Sequence, residues 1–361
     1  MRILCPITDS PERTPGHQLF GSSYFREVAR ETYGIDVETE YLRYTQKGYG
    51  LLQTLTLNIT LALRIILRKH DILYFRIDPD PLLLLSVLKA LGIYRKPIYA
   101  WKYTAVETTG NPLKDKIKRF VHRGFTKIFM VTESHVAQSI RAGIVLPRQL
   151  SYKRWGEDFR YVDRFVCQKS ESFTFISTGK AHRDMETLCE AFSICQKTVP
   201  EARLRIFTVR RWGNYDYSIY LNNISNPNIE VVYSDEIKLE GCCRSILDQL
   251  FLEMHRCHCA LSICHTVKFG VGYTQVLDSL ASSLPIISTA NPANPIDIDS
   301  EGCGITVAAS DADSLAEAMI RLATQPELAK SMGEAGRKLT ESRYNIIETA
   351  KSVLKDICFI C

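Results

Sequence analysis

Short apolar segments alternate with amphipathic segments along almost the whole chain, and this alternation limits the possible folds more than any other feature. The segments Arg2–Ile7, Ile72–Phe75 and Phe173–Thr178 are short and almost continuously apolar, as is typical of strands buried on both faces of a parallel sheet. Segments with helical apolar spacing lie between them, and Leu188–Cys195 follows the i, i+3, i+4, i+7 pattern. The alternation predicts an α/β protein with doubly wound, parallel sheets.

A polar stretch interrupts this alternation near the middle of the chain. It extends from about Val145 to Glu171, includes Gly156 and carries many charges. The alternation restarts after it, and 361 residues are enough for two domains. The sequence therefore predicts two tandem Rossmann-like domains, over 1–160 and 161–361, with a cleft between them. It leaves open whether the last helix packs back on the first domain.

Composition argues against several other classes of protein. Hydrophobic residues make up 45% of the chain and charged residues 24%, which is ordinary for a globular protein and excludes a disordered chain or a coiled coil. The most apolar long segment, Leu51–Leu67, contains Gln53, Asn58 and Arg64 and is therefore not expected to span a membrane. The first residues lack the apolar core of a signal peptide. We expect a cytoplasmic protein.

Five of the twelve cysteines are concentrated in one segment together with three histidines. The group comprises Cys242, Cys243, Cys257, Cys259, Cys264, His255, His258 and His265. A zinc site is one interpretation, but the group contains no CxxC pair. The other interpretation is a set of buried thiols, which is common in a reducing compartment. We expect no metal.

Charge is distributed unevenly over the chain. Residues 1–150 hold 22 basic and 13 acidic residues, whereas residues 151–361 hold 23 and 27. The basic excess is densest between Ser86 and Lys127 and indicates an anionic partner. A solvated helix face and peripheral contact with anionic membrane lipids both fit this segment. No nucleic-acid-binding motif accompanies it, so no nucleic acid is expected.

The turn after the strand Phe173–Thr178 is a candidate anion site. It contains Gly179, Lys180 and Arg183, and Asp184 follows as a helix N-cap. Cations beside the positive end of a helix dipole are mildly unfavourable, and an anion bound between them would reverse that balance. The alternative is that Arg183 pairs with Asp184 or Glu186 at the surface.

A second glycine-rich turn precedes the helix predicted at Thr274–Ser283. Gly270 and Gly272 allow close backbone approach to a ligand, and the free N–H groups of Tyr273 and Thr274 could then bind a phosphate. Asp278 lies one helical turn beyond Thr274 and could reach a sugar hydroxyl. The alternative is a plain glycine turn with Asp278 as a solvated first-turn carboxylate. Together the two turns indicate a nucleotide site.

The second half contains, in order, the segments Gly272–Thr289, Glu301–Ala318 and Pro326–Arg337. Their order and content resemble the family 4 (group 1) glycosyltransferases of the GT-B fold. The segment Gly272–Thr289 resembles the family's acidic motif with "A-x-G-x-P-V-I-A-T", and Glu301–Ala318 resembles "G-x-G-x-L-V…D-x-x-x-L-A-x-A". Pro326–Arg337 resembles the helix pair that follows, and Trp155–Asp158 stands where the family often has "N-G-V-D". The resemblance covers about residues 173–345 and extends to the first half only in outline.

This resemblance implies an activity and roles for several residues. The chain would be a retaining, metal-independent hexosyltransferase of polysaccharide biosynthesis that moves a sugar from a nucleotide-diphosphate sugar to a hydroxyl of a glycan or lipid-linked acceptor. Lys180 and Arg183 would stabilise the departing diphosphate, and Asp278 would hold the ribose. The first domain would bind the acceptor and the second the donor. Members often carry a Glu-x7-Glu pair, but this chain has Gly270 and Asp278 at those positions.

Residues of the first half supply the remaining candidates. His17 follows the first strand and is the candidate for the family's catalytic-pocket histidine, although a loop histidine of this kind is often only a surface residue. Arg76, Trp101 and Lys102 lie at predicted strand ends and are acceptor-side candidates.

Two other functions stay open. A non-catalytic partner subunit that binds nucleotide sugars would fit the absence of an acid at Gly270. A sugar-nucleotide epimerase would share the two-domain fold.

Overall fold

The computed structural model describes residues 1–8, 14–45, 50–76, 82–267 and 270–359. The chain divides into two compact units. The first unit contains Met1–Gly156 and Ile346–Cys361, and the second contains Glu157–Asn345. The sequence analysis placed the boundary after residue 160.

The first unit is built on a parallel sheet of six strands in the order β2-β1-β3-β4-β5-β6. The strands are β1 (Arg2–Ile7), β2 (Glu38–Arg43), β3 (Ile72–Arg76), β4 (Ile98–Lys102), β5 (Lys127–Met130) and β6 (Leu150–Tyr152). The helices between them are α1 (Phe25–Tyr33), α2 (Leu51–Ile66), α3 (Leu83–Ala90), α4 (Pro112–His122) and α5 (Glu133–Ala142). Strand β6 lies within the polar stretch that the sequence analysis placed between the two domains. The sequence did not predict it, because a three-residue strand shows no clear apolar period.

Side-chain caps mark where two helices of this unit begin. Asn111 accepts hydrogen bonds from the N–H groups of Leu113 and Lys114, and Pro112 occupies the first position of α4. Thr132 caps α5 in the same way. Helices α2, α3 and α4 lie side by side, and Leu61, Ile65 and Leu85 pack against one face of the sheet.

The second unit has the same architecture, with a parallel sheet in the order β11-β8-β7-β12-β13-β14. Its strands are β7 (Thr174–Thr178), β8 (Arg203–Thr208), β9 (Arg211–Trp212), β10 (Tyr215–Asp216), β11 (Ile229–Tyr233), β12 (Cys259–Ser262), β13 (Ile286–Thr289) and β14 (Gly304–Val307). The helices are α6 (Phe159–Val162), α7 (Met185–Thr198), α8 (Tyr217–Leu221), α9 (Ile246–Arg256), α10 (Tyr273–Ala281), α11 (Ala312–Thr324) and α12 (Pro326–Ser342). Strands β9 and β10 form a small antiparallel hairpin outside the main sheet.

Helix α13 (Ile346–Phe359) returns to the first unit and packs against α1. The hydroxyl of Tyr33 donates to the carbonyl of Lys351 at 2.9 Å. Lys153 forms a nearly buried ion pair of 3.1 Å with Asp356. The first unit is therefore assembled from two distant parts of the sequence. No helix in the described ranges is both long enough and apolar enough to cross a lipid bilayer.

Candidate functional site

The strand order of the second unit places the two glycine-containing turns, after β7 and after β12, next to each other. β7 is the first strand of its sheet in sequence, and its neighbours on the two sides are β8 and β12. The chain thus winds in opposite directions from β7, and the crevice outside the carboxyl ends of β7 and β12 is where open α/β sheets bind ligands. The turns after these two strands contain Gly179, Arg183 and Gly272.

The turn after β7 is held in place by side chains of neighbouring elements. Thr208, which ends β8, donates to the carbonyl oxygen of Gly179 at 2.9 Å. The hydroxyl of Tyr217 donates to the carbonyl oxygen of Lys180 at 2.8 Å and accepts the N–H of Arg183 at 3.1 Å. This turn therefore has its conformation before any ligand binds.

Arg183 is buried beneath this turn, with only 4% of its surface exposed. Its Nη1 donates to Ser262 Oγ at 3.1 Å and to Cys264 Sγ at 2.8 Å, and its Nε has no hydrogen-bond partner among the described residues. The surface ion pair considered in the sequence analysis does not form, since the Asp184 carboxylate instead accepts from the N–H of Thr187 and caps α7. A buried guanidinium without a carboxylate partner is costly and points to a bound anion.

Positions 179 and 272 both require glycine, because of the backbone conformation and because neighbouring side chains leave no room for a Cβ atom. Gly179 has φ of 96° and Gly272 has φ of 79°, in the left-handed region that glycine alone adopts easily. A Cβ atom at Gly179 would collide with the guanidinium of Arg183, and one at Gly272 would collide with Ser262 Oγ. The two turns therefore pack directly against the buried cation.

Helix α10 begins immediately after Gly272, which occupies its N-cap position. Tyr273 is buried at the first helical position and Thr274 is exposed. The first N–H groups of an α-helix have no partner within the helix and favour anions. Lys180 is exposed, and no ion pair is recorded for it in the part of the chain that the structure describes. The second unit thus combines a buried cation, an exposed cation and a helix N-terminus.

Asp278 lies in the second turn of α10 and is buried, which differs from the exposed first-turn carboxylate considered in the sequence analysis. Its side chain shares a hydrogen bond with that of Glu157. Burial raises the pKa of Glu157 to about 8 and outweighs the opposing effect of its hydrogen bonds. Two carboxyl groups joined by a hydrogen bond share a proton. The sequence analysis missed Glu157, since a carboxyl in a boundary segment has no recognisable spacing.

Gly270 leaves room for a side chain. A Cβ atom there would lie 3.5 Å from the carbonyl oxygen of Ala293 and 3.7 Å from Asn294 Oδ1, which are ordinary van der Waals distances. The absence of the family's first acid at this position is therefore not explained by lack of space.

Four partly exposed rings lie beside the turn after β7, and the sequence analysis did not identify them as a group. His182 contacts Trp212 and Tyr215 with ring centroids 4.8 and 5.6 Å apart, and His265 stacks on Tyr215 at 6.1 Å. Trp212 and Tyr215 belong to the β9–β10 hairpin. Gly213-Asn214 between them is a hairpin signal that could have revealed it.

The cysteine group does not form a metal site among the described residues. Cys264 contacts the guanidinium of Arg183, whereas Cys242 is exposed. Burial raises the pKa of Cys257 to about 12 and raises that of Cys259 as well, so both stay protonated thiols and are poor metal ligands.

The candidate residues predicted at the carboxyl end of the first sheet differ from one another in exposure and surroundings. A small pocket lies outside the ends of β1 and β3. Its lining includes Gln18, Tyr44, Tyr74 and Arg76. Arg76 is therefore placed where an acceptor group could reach it. Lys102 ends β4 and is partly exposed.

Trp101 and His17 are both buried. The indole N–H of Trp101 donates to the hydroxyl of Tyr74, and its ring stacks on Phe20 with centroids 5.0 Å apart. Trp101 is fully enclosed in the aromatic core, so its position corrects the expectation that it faces an acceptor. The His17 ring contacts the side-chain amide of Gln18 at 2.8 Å, and its carbonyl oxygen accepts the indole N–H of Trp155 at 2.9 Å. His17 is therefore not the exposed loop histidine that the sequence left open.

Known structures share this fold over the whole chain. The glycosyltransferase from Rickettsia africae ESF-5 has a TM-score of 0.70 and 12% identity, covering 100% of this chain and 99% of that one. Anabaena HepE in complex with UDP-glucose has a TM-score of 0.64 and 13% identity, covering 99% of both chains. A putative UDP-N-acetylglucosamine 2-epimerase from Listeria monocytogenes has a TM-score of 0.64 and 12% identity, covering 99% of this chain and 95% of that one.

Sequence comparison adds a family to this likeness in fold. No curated protein matches the chain significantly. Residues 247–339 match the model of the family described as glycosyl transferases group 1, a segment that runs from α9 to α12 and includes Gly272 and Asp278. The chain therefore has the fold of the GT-B glycosyltransferases, and residues 247–339 of its second unit match the group 1 glycosyl transferase model, in the half of the chain where the sequence motifs indicated that family.

Proposed function

We propose that this protein transfers a hexose from a nucleotide-diphosphate sugar to an acceptor hydroxyl, with retention of configuration and without a metal ion. The observation that carries the proposal is Arg183, a buried guanidinium that lacks a carboxylate partner among the described residues and lies between two glycine turns. A diphosphate supplies the charge that this arrangement lacks. The UDP-glucose complex of Anabaena HepE, which shares the fold, supports a UDP-sugar as the donor.

The chemistry of the proposed reaction follows from where charge develops. When the bond between the sugar and the diphosphate breaks, negative charge grows on the departing phosphate oxygens. Lys180, Arg183 and the N–H groups at the start of α10 would stabilise it most strongly at that moment, because they are fixed in advance in a partly buried site. Cations and helix dipoles in this role would leave no need for a metal.

Asp278 would bind the ribose hydroxyls of the donor. Its hydrogen bond with Glu157 would keep the side chain oriented. In the first unit, Arg76 and Lys102 would contact the acceptor, a glycan or a lipid-linked saccharide at the cytoplasmic face of a membrane. His17 is our candidate for the catalytic histidine.

Calorimetric titration with UDP and with uridine tests the donor site. The variant carrying Lys180→Ala and Arg183→Met should lose at least about 30-fold in UDP affinity, because truncating a buried charge contact costs about 2–5 kcal/mol. Its affinity for uridine should change little, which also shows that it is folded. Arg210→Ala is the matched control, since that arginine is partly exposed and pairs with Glu236. Equal losses for UDP and uridine would contradict the assignment of the phosphate site.

A second candidate, a sugar-nucleotide epimerase, is favoured by the likeness to the Listeria protein. Incubation with UDP-N-acetylglucosamine and no acceptor, followed by proton NMR, separates the two functions. A new sugar-nucleotide epimer would support the epimerase. UDP release that requires an added acceptor would support the transferase, whereas tight UDP-sugar binding without turnover would indicate a non-catalytic subunit, consistent with the missing acid at Gly270.

A further inference from the structure

Helix α2 carries a ladder of exposed aliphatic side chains that the first unit leaves uncovered. Leu51 is 89% exposed, Leu55 54% and Leu63 55%, and Ile59 lies between them in the same i, i+4 row. The exposed row continues past the helix at Leu67, and Leu52 and Ile66 flank it. We call this set, Leu51, Leu52, Leu55, Ile59, Leu63, Ile66 and Leu67, the α2 ladder.

The side chains of the α2 ladder are not part of the core of the first unit. A different side of the helix, formed by Asn58, Leu61, Ala62 and Ile65, is buried against the sheet and α3. A helix that is apolar on its outer side as well as its inner side is normally covered on both. Isolated exposed leucines are common on protein surfaces, but a continuous row of this length marks a binding surface.

The charges around the α2 ladder are predominantly basic. The sequence contains no acidic residue from position 41 to position 70, whereas Arg43, Lys47, Arg64, Arg68 and Lys69 lie within it. Glu40, just before this stretch, pairs with Arg68.

The neighbouring helix continues the same pattern. Helix α3 packs beside α2, and beyond its end Leu91 and Ile93 are exposed. Arg95 and Lys96 follow directly. Apolar side chains bordered by cations therefore extend over two adjacent helices on one face of the sheet.

We infer that the α2 ladder is a membrane-docking surface that inserts into the interface of an anionic lipid bilayer. Leucine and isoleucine side chains enter the boundary between head groups and acyl chains, and the surrounding lysines and arginines bind anionic head groups. With 16 residues, the helix is about 24 Å long, so it lies along the surface and does not span the bilayer. A second copy of the chain is a poorer occupant, because a symmetric contact would bring two basic faces together. The inference stands on the first unit alone and does not depend on the proposed donor site.

Co-sedimentation with vesicles tests the inference. The intact chain should bind vesicles of phosphatidylcholine containing phosphatidylglycerol, bind pure phosphatidylcholine vesicles much less, and bind more weakly as salt is raised. The variant Leu55→Gln, Ile59→Gln, Leu63→Gln should lose at least about tenfold in partitioning, since it removes three inserting side chains. Glutamine keeps helix propensity, and these positions are exposed, so the variant should fold; its circular dichroism and UDP affinity should equal those of the wild type.

Two further variants sharpen the test. Ile140→Gln with Ile219→Gln and Ile246→Gln removes three exposed isoleucines outside the α2 ladder and should partition like the wild type. Arg64→Glu with Lys69→Glu should lose binding mainly at low salt. The inference is overturned if the wild type does not prefer anionic vesicles at low salt, or if the glutamine variant of the ladder binds as well as the wild type. A dimer in light scattering that the same variant dissociates, without vesicle binding, would assign the surface to a second copy instead.

Discussion

Each of the two units contains a six-stranded parallel sheet, but different kinds of side chain are buried at the carboxyl ends of the two sheets. In the second unit, ionisable side chains are buried there, namely Arg183 and Asp278. In the first unit, buried rings occupy the corresponding place: Trp155 and Trp101 pack on Phe20, at 5.5 and 5.0 Å. Burying ionisable side chains is costly, so their presence there favours a role with a ligand or in a reaction. Buried rings chiefly fix the shape of a loop.

The difference also appears in how much each unit resembles known families. The family model covers residues 247–339 of the second unit and none of the first. The proposed site for a nucleotide diphosphate needs particular residue types at particular turns, so it would leave a trace in the sequence. Many different sequences can form a core of packed rings. Such a core is therefore visible in the sequence only as a pattern of apolar residues.

The largest expected effect concerns Trp101. Trp101→Ala should lower the free energy of unfolding by about 3–5 kcal/mol, because it leaves a cavity in a closed ring cluster, and Trp101→Phe should lower it much less. Thermal unfolding of both variants measures this, with UDP affinity below the transition as the control. A loss of transfer activity with an unchanged melting temperature would instead place Trp101 at the acceptor and break the contrast between the two units.

A smaller effect is expected from the buried carboxyl Glu157. Its pKa is raised from 4.5 to about 8 by burial, so the folded chain holds a proton that the unfolded chain has released between these pH values. Stability should therefore fall as pH rises through this window, by about 2–3 kcal/mol between pH 5 and pH 7, and level off above about pH 8.

Glu157→Gln provides the matched comparison, since an amide of the same shape does not titrate. Denaturant unfolding at pH 5, 6, 7 and 8 should show a weaker pH dependence for this variant than for the wild type. Parallel curves for the two proteins would mean that Glu157 is ionised in the folded state.

Gly270 and Gly272 lie in the same turn but in different environments, and together they test the backbone requirement directly. Gly272→Ala should cost about 2 kcal/mol or more of stability and weaken UDP binding, because φ is 79° and the new methyl group collides with Ser262. Gly270→Ala should change stability by less than about 0.5 kcal/mol, since its Cβ meets ordinary contacts. Similar costs at both positions would show that the turn before α10 is looser than described.

The smallest effect is expected from Asp278→Asn. Loss of the charge weakens a charge-assisted hydrogen bond, so UDP affinity should fall by about tenfold, corresponding to about 1.4 kcal/mol. The dideoxy form of UDP, which lacks both ribose hydroxyls, is the control ligand and should bind the wild type and the variant almost equally. A similar loss for both ligands would show that Asp278 does not contact the ribose.

Much of this fold could be predicted from the sequence, because buried parallel strands and amphipathic helices have distinct apolar periods. The elements that escaped prediction are those with too few residues to show a period, such as β6 and the β9–β10 hairpin. Boundaries moved by one or two residues where a cap decided them: the helix predicted at Thr274–Ser283 runs from Tyr273 to Ala281, since Gly272 occupies its N-cap position.

The candidate site was predictable only in part. Glycines before a helix and a nearby arginine are local signals, and they located the turns containing Gly179 and Gly272. Whether Arg183 lies at the surface or beneath the turn depends on Ser262 and Cys264, which are about 80 residues away in sequence. Glu157 came next to Asp278 for the same reason. Long-range packing of this kind has no signature in the local order of residues.

The return of α13 to the first unit has a consequence for how the protein is made. Residues 157–345 leave the ribosome as one continuous segment and can complete their own unit during synthesis. The first unit is translated earlier but lacks α13 until residues 346–359 have emerged, so the surface of α1 that α13 covers stays open to chaperones in the meantime. The unit that begins first therefore finishes last, and shortening the chain before Ile346 would damage the half of the molecule that lies farthest away in sequence.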